Sequence, residues 1–290
     1  MKAAVLGSPV THSLSPVLHR AAYTALGLPE WSYAAIECDE ARLPGLLAGL
    51  DGSWAGLSLT MPLKRAVLPL LDDVDPLAKA VGGANTVVLR GGRRLGYNTD
   101  VGGMVAALAE AGVNKVSTTA GVLVIGAGAT ACSALAALRE IGARDVDVAV
   151  RDTSRSGGLE AAANRLGVAI RLGELAPPAG ARAHAGATPA ELVICTVPPR
   201  AADAAAEWLC RGPVAPKVVF DVAYDPWPTR LAAAARGAGS AVVGGFELLL
   251  HQAARQVELM TLRAAPLGAM RAAGLAELAT RRRGSASTGG

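Results

Sequence analysis

The run Val122-Leu123-Val124-Ile125, followed at once by Gly126-Ala127-Gly128-Ala129-Thr130-Ala131 and a helical stretch from Cys132 to Ile141, constrains this chain more than any other feature. The order is strand, glycine turn, helix. Gly126 permits the tight turn, Gly128 lets a pyrophosphate approach the backbone, and the small Ala131 permits close helix packing, while the N–H groups of the helix start face the phosphates. A structural turn is the alternative for the glycines alone; with a strand before and a helix after, they point to a dinucleotide site. The next strand runs into Val150-Arg151-Asp152-Thr153-Ser154-Arg155. Arginines at this place suit the 2′-phosphate of NADP, through charge-assisted bonds, and an acidic residue suits the 2′-hydroxyl of NAD. Arg151 and Arg155 favour NADP, Asp152 keeps NAD possible, and a surface charge cluster is the bland alternative.

The rest of the chain repeats the rhythm of short apolar runs and helix-like segments, which predicts an α/β protein. Strands are expected at Ala3 to Leu6, Ser32 to Glu37, Gly56 to Thr60 and Thr86 to Arg90, then at Val122 to Ile125, Asp147 to Val150, Leu192 to Thr196, Val218 to Val222 and Ala241 to Val243. Pro177 to Gly180 and Gly186 to Pro189 read as loops, and Val113 to Gly121 as the junction between domains. That gives a substrate-binding and catalytic domain over 1–112, a doubly wound, Rossmann-type nucleotide domain over 113–245, and helices of 246–280 that complete the first. The tail 281–290, with Arg281-Arg282-Arg283 and a Gly/Ser end, is expected to be disordered.

Composition excludes several classes. A net charge of +4 over 290 residues, without a basic stripe, suits small anionic ligands better than nucleic acid. Cys38, Cys132, Cys195 and Cys210 lie far apart with no C-x-x-C spacing, so a disulfide framework and a zinc site are disfavoured and reduced thiols in the cytoplasm are expected. Val116 to Leu138 carries no charge, yet Gly121, Gly126 and Gly128 break it, so it reads as strand, turn and helix rather than a membrane span.

In the first part, Thr11-His12-Ser13-Leu14-Ser15-Pro16 precedes a helical run from Val17 to about Leu26, so Ser15 is the expected N-cap and Pro16 the first helical residue. Ser13 and Ser15 can present two hydroxyls to a carboxylate there, although taken alone an ordinary capped helix is the better reading of them. The strand Gly56 to Thr60 leads into Met61-Pro62-Leu63-Lys64, which places a lysine in the following helix near the carboxyl end of a strand, where open α/β sheets gather their sites. Asp100 opens the helix Val101 to Ala111, and a helix cap is its bland reading.

These segments, His12 to Pro16, Leu57 to Lys64, Gly83-Ala84-Asn85-Thr86 and Gly96-Tyr97-Asn98-Thr99-Asp100, resemble in order and spacing the substrate motifs of the shikimate dehydrogenase family. The glycine turn, Arg151 to Arg155, Asp221 to Pro226 and Gly245 to Ala253 extend the resemblance over about residues 3 to 265. It implies Lys64 and Asp100 as the catalytic pair, Ser13 and Ser15 on the substrate carboxylate, and Thr60, Asn85, Tyr224 and Gln252 on ring hydroxyls. It gives Gly126, Ala127, Gly128, Ala129 and Thr130 to the pyrophosphate, Arg151 and Arg155 to the 2′-phosphate, and Thr196 and Gly245 to the nicotinamide region. Ser58 stands where many members carry Asn, Ala129 replaces a usual third glycine, Val150 and Asp152 depart from an Asn-Arg-Thr run, and Leu248 replaces a common Met.

The implied activity is the reversible NADPH-dependent reduction of 3-dehydroshikimate to shikimate, on the route to chorismate and the aromatic amino acids, by a monomer or homodimer and without a metal. Oxidising the alcohol needs a proton acceptor within reach of its oxygen. A neutral Lys64 amine can take that proton, with burial favouring the neutral form and Asp100 the charged one. Rival readings are an NAD-preferring quinate or aminoshikimate dehydrogenase, a folate-processing dehydrogenase of similar layout, and a regulatory nucleotide-binding module without catalysis.

Overall fold

The computed structural model describes residues 1–117, 120–175, 190–211 and 215–287, apart from the side chains of 207, 208, 210, 211 and 285–287. The loops expected at Pro177 to Gly180 and Gly186 to Pro189, and the side chain of Cys210, lie outside the described residues. In chain order the first elements are β1 (Lys2–Gly7), α1 (Ser15–Ala25), β2 (Ser32–Glu37), α2 (Leu43–Ala48), β3 (Trp54–Leu59), α3 (Leu63–Ala66), β4 (Asp73–Val74), α4 (Pro76–Val81), β5 (Thr86–Arg90), β6 (Arg93–Tyr97) and α5 (Asp100–Glu110). There follow β7 (Gly121–Ile125), α6 (Ala129–Glu140), β8 (Asp145–Val150), α7 (Gly157–Leu166), β9 (Ala169–Glu174), β10 (Ala190–Cys195) and α8 (Asp203–Arg211). The last are β11 (Val218–Asp221), α9 (Arg230–Gly237), β12 (Ala241–Gly244), α10 (Gly245–Thr261) and α11 (Leu267–Ser287). Among the described residues no helix is long and apolar enough to cross a membrane.

Contacts divide the chain into two units, 1–99 with 249–290, and 100–248. The division falls at Asp100 rather than at the junction expected near Val113, because α5 packs against α6 and groups with the second unit.

The first unit holds a six-stranded mixed sheet in the order β2-β1-β3-β5-β6-β4. β1 pairs in parallel with β2 and β3, whereas β5 runs antiparallel to β3 and β6. Alternation along the strands feeds two cores. Ala4, Leu6, Leu57 and Leu59 join Leu43, Leu47, Leu63, Val67 and Val87 on one face. Ala3, Val5 and Tyr33 meet Tyr23 and Met260 on the other. Ser58 lies between Leu57 and Leu59 and so points to the second face.

α11 packs on α1. It continues to Ser287, so the arginine run expected in a disordered tail is helical. Arg281 bonds Glu277 one turn back and donates to the His12 carbonyl at 2.7 Å, which gives this end of the chain partners in the folded unit.

The second unit is one parallel sheet in the order β12-β11-β10-β7-β8-β9. Its strand order reverses between β7 and β10, the arrangement of a doubly wound nucleotide-binding fold, whose crevice opens at the carboxyl ends of those two strands. Leu123, Ile125, Val193, Cys195 and Val219 form its core with Ala205, Ala206, Leu231 and Ala235 of the covering helices. Small alanines let those helices lie close to the sheet.

Candidate active site

Gly126 directly follows β7 with φ +115°, a conformation that disfavours any side chain. A Cβ there would also stand 2.6 Å from Thr196 Oγ1, which itself donates to the Ile125 carbonyl at 2.8 Å. The glycine loop therefore lies directly against the end of β10. Gly128 caps α6 without any side chain, leaving Ala129 and Thr130 to open the helix. Gly245 opens α10, and a Cβ on it would collide with the Val222 carbonyl. Gly126, Thr196 and Gly245 thus sit at the carboxyl ends of three parallel strands of one sheet, with backbone where side chains would otherwise intrude.

Arg151 and Arg155 are exposed beyond β8. Asp152 between them is engaged locally: its carboxylate accepts from the Ser154 N–H at 3.0 Å and the Ser154 hydroxyl at 2.6 Å and caps the short helix Thr153–Arg155. The two Ser154 bonds, aided by the Arg155 charge, hold this carboxyl below the usual range. The acidic side chain that keeps an NAD reading open is bound to its own turn.

Tyr224 is half-buried in the loop after β11. Asp221 braces that loop, accepting from the Ala223 N–H at 3.1 Å and from the Thr229 hydroxyl at 2.6 Å, while Thr229 Oγ1 caps α9 through the Ala232 N–H. Burial pushes the Asp221 carboxyl up, against the lowering effect of those two bonds.

In the first unit, Lys64 lies on the four-residue α3, and its carbonyl accepts from the Ala84 N–H at 2.8 Å. A Cβ on Gly83 would stand 3.3 Å from that carbonyl. Asn98 fixes the same turn from the other side by donating to the Gly83 carbonyl at 2.9 Å. Thr60 is half-buried at the end of β3, and Gly7 leaves the space its methyl occupies.

Asn85, only 1% exposed, lies next along the chain from the Ala84 that holds Lys64. Its amide nitrogen donates to Thr99 Oγ1 at 2.9 Å and to Gln252 Oε1 at 3.3 Å, and its oxygen accepts from the Thr86 hydroxyl at 2.9 Å and the Thr99 N–H at 2.8 Å. Asp100, which directly follows Thr99, is 4% exposed.

Ser13 and Ser15 stand differently from expectation. α1 begins at Ser15 with Leu14 at the cap position and no side-chain cap, so Ser15 is helical rather than the N-cap. Ser13 Oγ accepts the Ser15 N–H at 3.2 Å, which meets the first free donor of the helix from one residue further out.

Sequence reasoning missed a second layer behind these residues: His19, Tyr33, Ser58, Thr86, Thr99 and Gln256, all buried in the first unit. The only signal was the i, i+4 spacing of Gln252 and Gln256 on α10, which puts both amides on one face.

A doubly wound nucleotide unit joined to an α/β unit that gathers a lysine, hydroxyls and amides defines a dinucleotide-dependent oxidoreductase. The substrate half matches a family model described as "Shikimate dehydrogenase substrate binding domain" over residues 5–87. The shikimate dehydrogenase (NADP(+)) of Symbiobacterium thermophilum is 37% identical over 278 residues, covering 94% of this chain and 93% of that protein. The chain belongs to the shikimate dehydrogenase family. Among solved structures, the Mycobacterium tuberculosis shikimate dehydrogenase superposes with a TM-score of 0.84 at 41% identity, over 95% of this chain and 99% of that one. The Thermus thermophilus enzyme, solved in complex with NADP(H) and shikimate, gives a TM-score of 0.75 at 32% identity, over 94% and 98% of the two chains.

Proposed function

We propose that this chain catalyses the reversible, NADPH-dependent reduction of 3-dehydroshikimate to shikimate, with Lys64 and Asp100 as the catalytic pair. One observation carries the assignment of the pair. The Lys64 turn is hydrogen-bonded to the segment holding Asn85, and the Asn85 amide is bonded to Gln252 and to Thr99, the residue before Asp100. Four separate sequence motifs thus form one hydrogen-bonded cluster.

The nucleotide unit fits the cofactor, since Gly126 and Gly245 keep clear the space a Cβ would fill. Gly126 to Thr130 would hold the pyrophosphate, Arg151 and Arg155 the 2′-phosphate, and Thr196 and Gly245 the nicotinamide end. When bound, NADPH supplies the hydride. Lys64 handles the proton: its neutral amine takes the hydroxyl proton as the alcohol is oxidised, and its ammonium returns it to the ketone oxygen in reduction. Asp100 would be the second member of the pair. Ser13 and Ser15 receive the ring carboxylate; Ser13 Oγ already accepts from the Ser15 N–H, so its own proton is left to donate. Thr60, Asn85, Tyr224 and Gln252 hold the ring hydroxyls, and a ring with a different pattern would leave a buried donor unmet, at about 1 to 3 kcal/mol.

The engaged Asp152 favours NADP over NAD. The buried free thiols of Cys38, Cys132 and Cys195 suit a reducing compartment, and we assign the activity to the cytoplasm. Initial rates with NADP and NAD, each on shikimate and on quinate, test the reading. Shikimate with NADP is expected to give the highest kcat/KM, and a preference for NAD or quinate would transfer the chain to the rival dehydrogenase.

A further inference from the structure

We propose that His19, a residue without any role in the proton transfer or in ligand contact, is a positioning residue whose ring N–H holds the Gln256 amide at the head of a one-way hydrogen-bond chain ending at Asn85 and Gln252. The proposal rests on the reading of those two amides as ring-hydroxyl ligands.

His19 is fully buried on α1 and stacks on Tyr33 with ring centroids 3.9 Å apart. Tyr23, one turn further along α1, places its hydroxyl 3.4 Å from Nδ1. Burial raises the Tyr23 phenol and lowers the His19 imidazole to about 3, so the phenol keeps its proton and the ring is neutral. A neutral imidazole that accepts at Nδ1 must carry its hydrogen on Nε2. That N–H donates to Gln256 Oε1 at 3.3 Å.

The same oxygen accepts from the Ser58 hydroxyl at 2.7 Å, and Ser58 in turn accepts from the Tyr33 hydroxyl at 2.6 Å. Two donors therefore hold the oxygen end of Gln256, and its nitrogen end faces Thr86 Oγ1 at 3.0 Å and the Asn85 carbonyl at 3.3 Å. Thr86, having accepted, gives its own proton to Asn85 Oδ1. The Thr99 N–H on the same Oδ1 at 2.8 Å faces Asn85 the same way, so its nitrogen points towards Thr99 Oγ1 and Gln252 Oε1, and Gln252 turns its nitrogen towards the Leu249 carbonyl at 2.9 Å. Reversing Gln256 would set its NH2 against the His19 N–H and its oxygen against the Asn85 carbonyl, two repulsive contacts in a buried site. Removing the His19 N–H takes away one of the two contacts that oppose reversal and leaves the oxygen end of Gln256 to the Ser58 hydroxyl alone, so the amide that braces Thr86 and the Asn85 carbonyl is held less firmly.

The test pairs substrate kinetics with a readout that needs no turnover. His19→Leu is expected to raise KM for shikimate about tenfold, the worth of about one hydrogen bond, with KM for NADP unchanged. His19→Gln, which restores an N–H at the Nε2 position, is expected to recover KM to within about threefold of wild type. A merely structural His19 would make both variants alike and leave KM for shikimate near wild type in the folded fraction. Should His19→Leu not fold, the milder Tyr23→Phe and Gln256→Met replace it, and both are expected to raise KM for shikimate. Long-range 1H–15N NMR of the His19 ring is expected to show protonated Nε2 and bare Nδ1. A protonated Nδ1, or an unchanged KM in all folded variants that remove the chain, overturns the proposal. Absence of shikimate turnover by wild type would instead overturn the substrate assignment, and the NMR arm would still decide the direction of the chain.

Discussion

Acidification should destabilise this protein through His19. The imidazole is fully buried, and desolvation, opposed by the weaker Gln256 hydrogen bond, lowers its pKa from 6.5 to about 3. Because the folded-state value lies below the unfolded one, the unfolded chain binds the extra proton. Stability is whole above about pH 6.5 and falls by about 1.4 kcal/mol per pH unit below it, until the folded ring also protonates near pH 3. Between about pH 7 and pH 5 the loss from this one group integrates to about 2 kcal/mol. Asp221 works the other way, since burial raises its carboxyl and the folded state then takes up a proton before the unfolded chain does on acidification. Urea unfolding of wild type and His19→Gln across that range isolates the histidine, because Asp221 and every other titrating group are shared and cancel in the difference. The free-energy difference between the two proteins should shift by about 2 kcal/mol in favour of the variant as the pH falls. Parallel stability curves would refute a neutral, buried His19.

Other perturbations act on the nucleotide unit. Gly245→Ala puts a methyl onto the Val222 carbonyl, so the variant should either fail to fold or lose more than about 2 kcal/mol in thermal unfolding. Arg151→Ala should raise KM for NADP about tenfold while leaving KM for NAD unchanged, by steady-state kinetics, since a 2′-phosphate is what the guanidinium recognises. Thr229→Ala removes the cap of α9 and a bond to buried Asp221, and should cost about 1 to 2 kcal/mol in urea unfolding.

What could be read from the sequence were the elements whose own residues state their geometry. The strand of Val122 to Ile125 and the turn at Gly126 belong to one contiguous motif, and both stand where they were expected. β6 escaped because its residues, Arg-Arg-Leu-Gly-Tyr, lack an apolar run; the signal was Gly91-Gly92, both with positive φ, closing a two-residue hairpin between Arg90 and Arg93. β9 escaped too, since Ala169–Glu174 is an edge strand with a partly exposed, charged pattern. The expected N-cap at Ser15 failed because Ser13, a position not considered for that task, supplies the oxygen.

The candidate ligand residues stand in recognisable motifs, whereas the layer behind them does not. His19 and Gln256 lie 237 positions apart, and their pairing follows from β1, β2, β3, α1 and α10 assembling in one unit. Neither residue carries a local pattern that names its partner. Ser58 is the clearest case: as a departure from the common family residue it bore no role, yet it is the link between Tyr33 and Gln256.

The central claim is that the Lys64 amine carries the proton of the reacting hydroxyl. The direct test is kcat of purified Lys64→Ala with shikimate and NADP, alongside cofactor affinity measured by fluorescence. The account predicts a fall in kcat of about 100- to 10,000-fold with the affinity for NADP unchanged. A kcat near that of the wild type would contradict it.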